Sequence, residues 1–244
     1  VYNKDFKATT EPVVCYGKEN GNWHFCNELC LDACCQLIST YAFSSDITNY
    51  TDPLFININL YVNNNYYTLD KIHDIFVKYF SNRFLPTQYS HQRSDVGNTN
   101  IKDLINKIIF ICDDNETLKD SKLDEIINLC ANKNDNIRTY EFNKLYSIDC
   151  GCTMDNSEQF TEIKNHNQKS LTRIYNKKNE NYNFYMPWYM GVQFICMKYN
   201  IADNFMNDYL NHFRITSFVL KPLKLRQKNI EVKRIKTPFY DINY

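Results

Sequence analysis

Arg173 and Tyr175 stand two residues apart in the short run "SLTRIY", and Trp188, Gly191 and Gln193 follow at close spacings just before an apolar stretch. Along a strand, residues i and i+2 share a face, so a guanidinium and a phenol would point the same way. On these residues alone the plain reading is that Arg173 pairs with an acidic neighbour and Tyr175 fills core. Asn57 and Asn59 repeat the spacing in "DPLFININL" and would also project together. Cys150-Gly151-Cys152 has thiols that could bind a metal, but no second Cys or His pair stands at zinc-site spacing, which favours the metal-free reading.

Composition sets the frame for these residues. Lys plus Arg and Asp plus Glu each number 28 among 244 residues, so the formal charge is zero and nothing global draws the chain to nucleic acid or to a membrane. Any anionic ligand must be held by a local basic group. Hydrophobic residues make up 43% and Gly only five, which fits a folded chain although mean hydropathy is −0.54. The length suits one large α/β domain. Ten cysteines allow a disulfide framework or reduced thiols. Cys30, Cys34 and Cys35 fall in one helical pattern, and Cys112 and Cys196 in apolar strand-like runs, which favours small buried hydrophobes in a reducing compartment. No signal-like segment opens the chain and no apolar run approaches the ~18 residues of a membrane span, so a soluble protein with at most peripheral membrane contact is expected.

The elements that must position these residues are legible in outline. "CNELCLDACCQLISTYAF" spaces Leu29, Ala33, Leu37 and Tyr41 on one helical face, with Asn27 a candidate N-cap. "DPLFININL" reads as a buried strand, and "TLDKIHDIFVKYF" as a helix capped by Thr68 with Leu69, Ile72, Phe76, Tyr79 and Phe80 in its stripe. "INKIIFIC" is a further buried strand, completing a parallel β-α-β unit. From Asp113 to about Arg138 the chain is charged and Asn-rich and reads as a linker. Beyond it "TYEFNKLYSIDC" predicts a strand, "NSEQFTEIKN" a helix capped by Asn156 or Ser157, and "SLTRIY" and "GVQFICMKY" two more strands.

Four of these patterns stand in register over about sixty residues: His166-Asn167, then Leu171-Thr172-Arg173-Ile174-Tyr175; Trp188 to Gln193 as W-x-x-G-x-Q; Met206, Tyr209, Leu210 and Phe213 as M-x-x-Y-L-x-x-F; and Val219-Leu220-Lys221-Pro222. Together they resemble the Y region of eukaryotic phosphoinositide-specific phospholipase C. The first half is similar, more loosely, to the end of that family's X region, with "EPVVCYG" as strand three, "DPLFININL" as strand four and "LINKIIFIC" as strand five. The resemblance covers residues 11 to 226 and implies an α/β fold, a TIM-like barrel incomplete at its N-terminal end. Residues 1–113 would be the end of the X half, 114–138 the X–Y linker and 139–226 the Y half. Residues 227–244 would be an extension toward a possible C2 module.

The function so implied is cleavage of phosphatidylinositol bisphosphate to diacylglycerol and inositol trisphosphate in signalling, at the cytoplasmic face of a membrane, with calcium as cofactor and no nucleic acid as partner. Arg173 would hold a ring phosphate and Tyr175 pack on the inositol ring, with Ser157 contacting another phosphate. Most calcium ligands and the first catalytic His would lie upstream of Val1. Several positions depart from the family. Its second catalytic His falls on Tyr16 or Cys15, and His24 is expected as an ordinary residue of the next loop or helix start. Its strand-four calcium ligand, a Glu, falls on Asn59, and two phosphate-binding lysines fall on Ile111 and Asp113. The alternative implied is a catalytically impaired barrel acting as a phosphoinositide-binding or scaffolding module. A simple phosphodiesterase with another head-group preference would also tolerate the lost lysines.

Overall fold

The computed structural model describes residues 11–19, 23–47, 49–62, 65–94, 96–113, 115–131, 137–143 and 158–226. Two strands, β1 (Val13–Glu19) and β2 (Trp23–Cys30), form an antiparallel hairpin leading into helix α1 (Leu31–Tyr41). Strand β3 (Leu54–Ile58), helix α2 (Tyr66–Phe80) and strand β4 (Ile108–Cys112) make the expected parallel unit, with Leu54 opposite Ile108 and Ile58 opposite Cys112. Strand β5 (Leu129–Cys130) joins β4 in parallel. A second parallel sheet holds β6 (Ile137–Glu141), β7 (Leu171–Tyr175) and β8 (Phe194–Ile195), with β7 in the middle. No closed sheet forms among the described residues.

Strand β4 explains this layering. All five residues of "IIFIC" are buried, as a strand covered on both faces requires. Ile108, Phe110 and Cys112 pack on α2 through Leu69, Ile72, Phe76 and Phe80. Ile109 and Ile111 turn the other way, into a core shared with Phe55, Leu129, Ile137, Leu171 and Phe194. That second core joins the two sheets, and Phe55 meets Phe194 edge-on at 5.1 Å. The two halves therefore form one body.

Three expectations need correction. Trp23–Cys30 is a strand, so α1 starts at Leu31 with Cys30, not Asn27, in the cap position, and His24 lies in β2 rather than in a loop. Pairing with Val13–Glu19 satisfies the backbone of a segment whose aromatics, Trp23 and Phe25, alternate at period two. The face of α1 that buries is Leu31, Cys35 and Ile38, while Leu29, Leu37 and Tyr41 are exposed. Helix α2 begins one turn early, because Asn65 accepts a hydrogen bond from the Thr68 amide at 3.2 Å and Thr68 is buried inside the first turn.

The third correction concerns residues 114–138, expected as linker. Helical turns α3 (Asn115–Leu118) and α4 (Lys122–Ile126) and strand β5 occupy it, and Leu118, Leu123, Ile127, Leu129 and Cys130 are wholly buried. Asn128 ties the segment to β4, its side chain accepting from the Phe110 amide and its own amide donating to the Phe110 carbonyl. Strand β6 also starts at Ile137, inside the assigned linker. The segment 227–244 lies outside the described residues.

Seven cysteines have described side chains and none is in a disulfide. Cys35, Cys112 and Cys130 are buried, and burial, aided by Cys34 and Asp32, pushes the Cys35 thiol up to about 12. In the native protein Cys35 should therefore resist alkylation at pH 8 while exposed Cys30 reacts. Peptide mass spectrometry after a timed iodoacetamide pulse reads this, and equal labelling of the two would contradict the packing of α1. Cys196 departs from expectation: it follows β8 and is exposed, not buried.

Candidate functional site

The C-terminal ends of the two parallel sheets converge on one crevice. Strand β7 carries Arg173 inward, where the residue is only 8% exposed. Its Nη1 donates to Asn57 Oδ1 of β3 at 2.7 Å, and its Nη2 donates to Asp113 Oδ1 beyond β4 at 2.8 Å and to Thr139 Oγ1 of β6 at 3.0 Å. One guanidinium thus ties four strand ends together. The pairing with Asp113 is charge-assisted, with a third of the carboxyl side chain still open to water. Thr139 lies opposite Arg173 and Glu141 opposite Tyr175 in the parallel register, so Tyr175, half-buried, shares the Arg173 face. Lys177 approaches Glu141 at 3.9 Å.

Asn57 and Asn59 do project together, with Asn57 Nδ2 donating to Asn59 Oδ1 at 3.2 Å, and both are exposed at the crevice. Cys196 is exposed there too. Surrounding protein raises its thiol pKa and Asp113 adds to this, while Arg173 and Lys198 oppose it. A high thiol pKa in an open position is unsuited to a nucleophile. Tyr16 lies in β1, but its side chain, like that of His24, is outside the described residues, as is all of Ser157. Ile111 is buried in the core between the sheets and takes no part in the crevice.

Asn167, Gln193 and Lys221 of the motifs gather at the N-terminal end of β7. Gln193 Oε1 accepts from the Thr172 amide at 2.8 Å, and its Nε2 donates to the carbonyls of Asn167 and Ser170. Asn167, fully buried on helix α5 (Glu158–Lys169), donates to the Met190 carbonyl, and Lys221 donates to the Asn167 carbonyl. Gly191 has φ +78°, and a Cβ there would meet Leu225 Cδ1 at 2.9 Å, so the residue needs both the left-handed conformation and the space. Trp188 stacks edge-on with His212 at 5.2 Å. These residues fasten the second half together and carry no chemistry of their own.

The described residues of this cluster do not by themselves fit calcium. A hard cation wants six or more oxygens, several of them carboxylate. Here Asn57 Oδ1 is taken by the guanidinium, Asn59 Oδ1 by Asn57, and the Asp113 carboxylate faces Arg173. No group of three or more His, Cys, Asp or Glu is placed to hold a metal among the described residues.

Two crystal structures share the architecture. PLC21 of L. pealei, a phospholipase C, superposes with a TM-score of 0.65 at 15% identity, over 87% of this chain and 32% of that one. PLC21 of S. officinalis gives 0.67 at 16% identity, over 92% and 32%. The fold is that of phospholipase C. This chain spans about a third of the length of the structures it matches. No protein-family model matches the sequence, and no curated protein does. The Arg173 cluster lies toward the C-terminal ends of parallel strands, the end at which open α/β sheets generally place their ligands. Asn57, Thr139 and Cys196 were not singled out as binding residues from sequence. The period-two Asn pair and the Asp directly after an apolar strand were the available signals.

Proposed function

We propose that this chain is the greater part of a split TIM-like phospholipase C barrel, retained as a module that binds an inositol phosphate head group without turning it over. The observation that carries the reading is the engagement of Arg173 by Asp113, Asn57 and Thr139. It leaves a cationic recognition point beside the Tyr175 ring, and among the described residues no donor set for a catalytic cation assembles. The position of the family's second His is held by Tyr16 or Cys15, and one positioned general acid alone contributes about 10²–10⁴ in rate. Peripheral attachment to the cytoplasmic side of a membrane belongs to the same reading. Exposed Tyr61, Tyr66, Tyr67 and Tyr199 border the strand C-termini, and tyrosine suits the boundary between water and lipid. No helix among the described residues is long and apolar enough to cross a membrane.

The test is release of soluble inositol phosphate from phosphatidylinositol and phosphatidylinositol bisphosphate vesicles, with and without calcium, alongside vesicle sedimentation. Sedimentation that weakens in Arg173→Ala, with no release above that variant, is expected. Calcium-dependent release above Arg173→Ala would replace this reading with the active phospholipase, which the shared fold with PLC21 favours.

A further inference from the structure

We infer that Asp113 sets the ligand class of this crevice: an inositol-like polyol bearing one phosphate and free hydroxyls, to the exclusion of polyphosphorylated rings. This deepens the proposed function and rests on it. Among the described residues Arg173 is the cation at the centre of the site, and its charge is met by the Asp113 carboxylate at 2.8 Å. A single phosphate can share the guanidinium, because an Arg has five N–H donors and the described residues make three contacts with it. A second or third phosphate on the ring would come up against the Asp113 carboxylate, and the described cations Lys177 and Lys198 stand beside Glu141 and Cys196.

The rest of the lining suits hydroxyls. Asn57 and Asn59 present exposed amides, Thr139 a hydroxyl, and Asp113 a carboxylate that accepts strongly from an O–H. Tyr175, on the Arg173 face, offers an aromatic surface to the C–H side of a ring. A hydroxyl beside Asp113 gains a charge-assisted hydrogen bond where a phosphate meets like charge.

The experiment titrates the protein by calorimetry with myo-inositol 1-phosphate, inositol 1,4,5-trisphosphate and inorganic phosphate, then repeats the titrations with Asp113→Asn. The variant keeps an oxygen for Arg173 and removes the charge, and its thermal midpoint checks the fold. Wild type should bind the monophosphate at least about tenfold more tightly than the trisphosphate, and Asp113→Asn should bring the two together or reverse them. Phosphatidylinositol vesicles form a further arm: binding there supports a lipid head group as source, and binding of the soluble monophosphate alone supports a free polyol phosphate. Preference of wild type for the trisphosphate, an unchanged ratio in Asp113→Asn, or equal affinity for inorganic phosphate would overturn the inference and leave the binding module standing. Absence of binding by both folded proteins to every probe would overturn both.

Discussion

Phe110→Ala is expected to lower the unfolding free energy by about 3–5 kcal/mol, a large part of the roughly 5–15 kcal/mol typical of a domain. Phe110 is 1% exposed at the middle of β4. Its ring stacks on Phe76 at 4.9 Å, meets Phe84 edge-on at 5.8 Å and touches Phe80 at 6.4 Å. Truncation removes the ring about which α2 and the loop after it are packed, and neighbours held by a fully buried strand cannot collapse into the space. Urea denaturation followed by circular dichroism measures the change. A loss under about 1 kcal/mol would mean that α2 is not seated on β4 as described.

The second large effect falls in the segment that composition marks as a linker. Asp124→Ala should cost about 3 kcal/mol, since buried Asp124 Oδ1 lies 2.6 Å from Nε2 of buried His91 and Oδ2 accepts from the side chain of exposed Gln92. His91 is 3% exposed, and among the described residues its Nδ1 has no partner and Asp124 is the one hydrogen-bonding contact of the ring. Asp124→Asn, which keeps one acceptor, should lose roughly half as much. The comparison decides what this segment is, because a substitution in a solvated linker typically stays within about 0.5 kcal/mol.

Much of the first sheet was legible because burial writes itself into composition there. The run "IIFIC" is apolar and wholly buried, "LFINI", expected buried, is only half-buried with Asn57 exposed, and the stripe of α2 from Leu69 to Phe80 spells one helical face. Helix α1 was misread on two counts. Its first turn competed with hairpin pairing by Trp23–Cys30, and its buried anchor is Cys35, which an apolar count of Leu and Tyr overlooks. Residues 115–131 misled because their average is polar, although Leu118, Leu123 and Ile127 are spaced to bury. In the site, sequence could set Arg173 and Tyr175 on one face but could not choose the partner of the guanidinium. Asp113 is sixty residues away, and only the meeting of two sheets brings it within 2.8 Å.

The tie formed by Asn167, Gly191, Gln193 and Lys221 bears on how such chains are recognised. These residues belong to the signature that makes the second half readable, yet Asn167, Gln193 and Lys221 bond to backbone and Gly191 makes room for Leu225, all on the side away from Arg173. A pattern anchored there reports scaffold and is blind to reactivity. Descendants of one ancestor can exchange their ligands, or lose turnover, and still carry the same fingerprint unaltered.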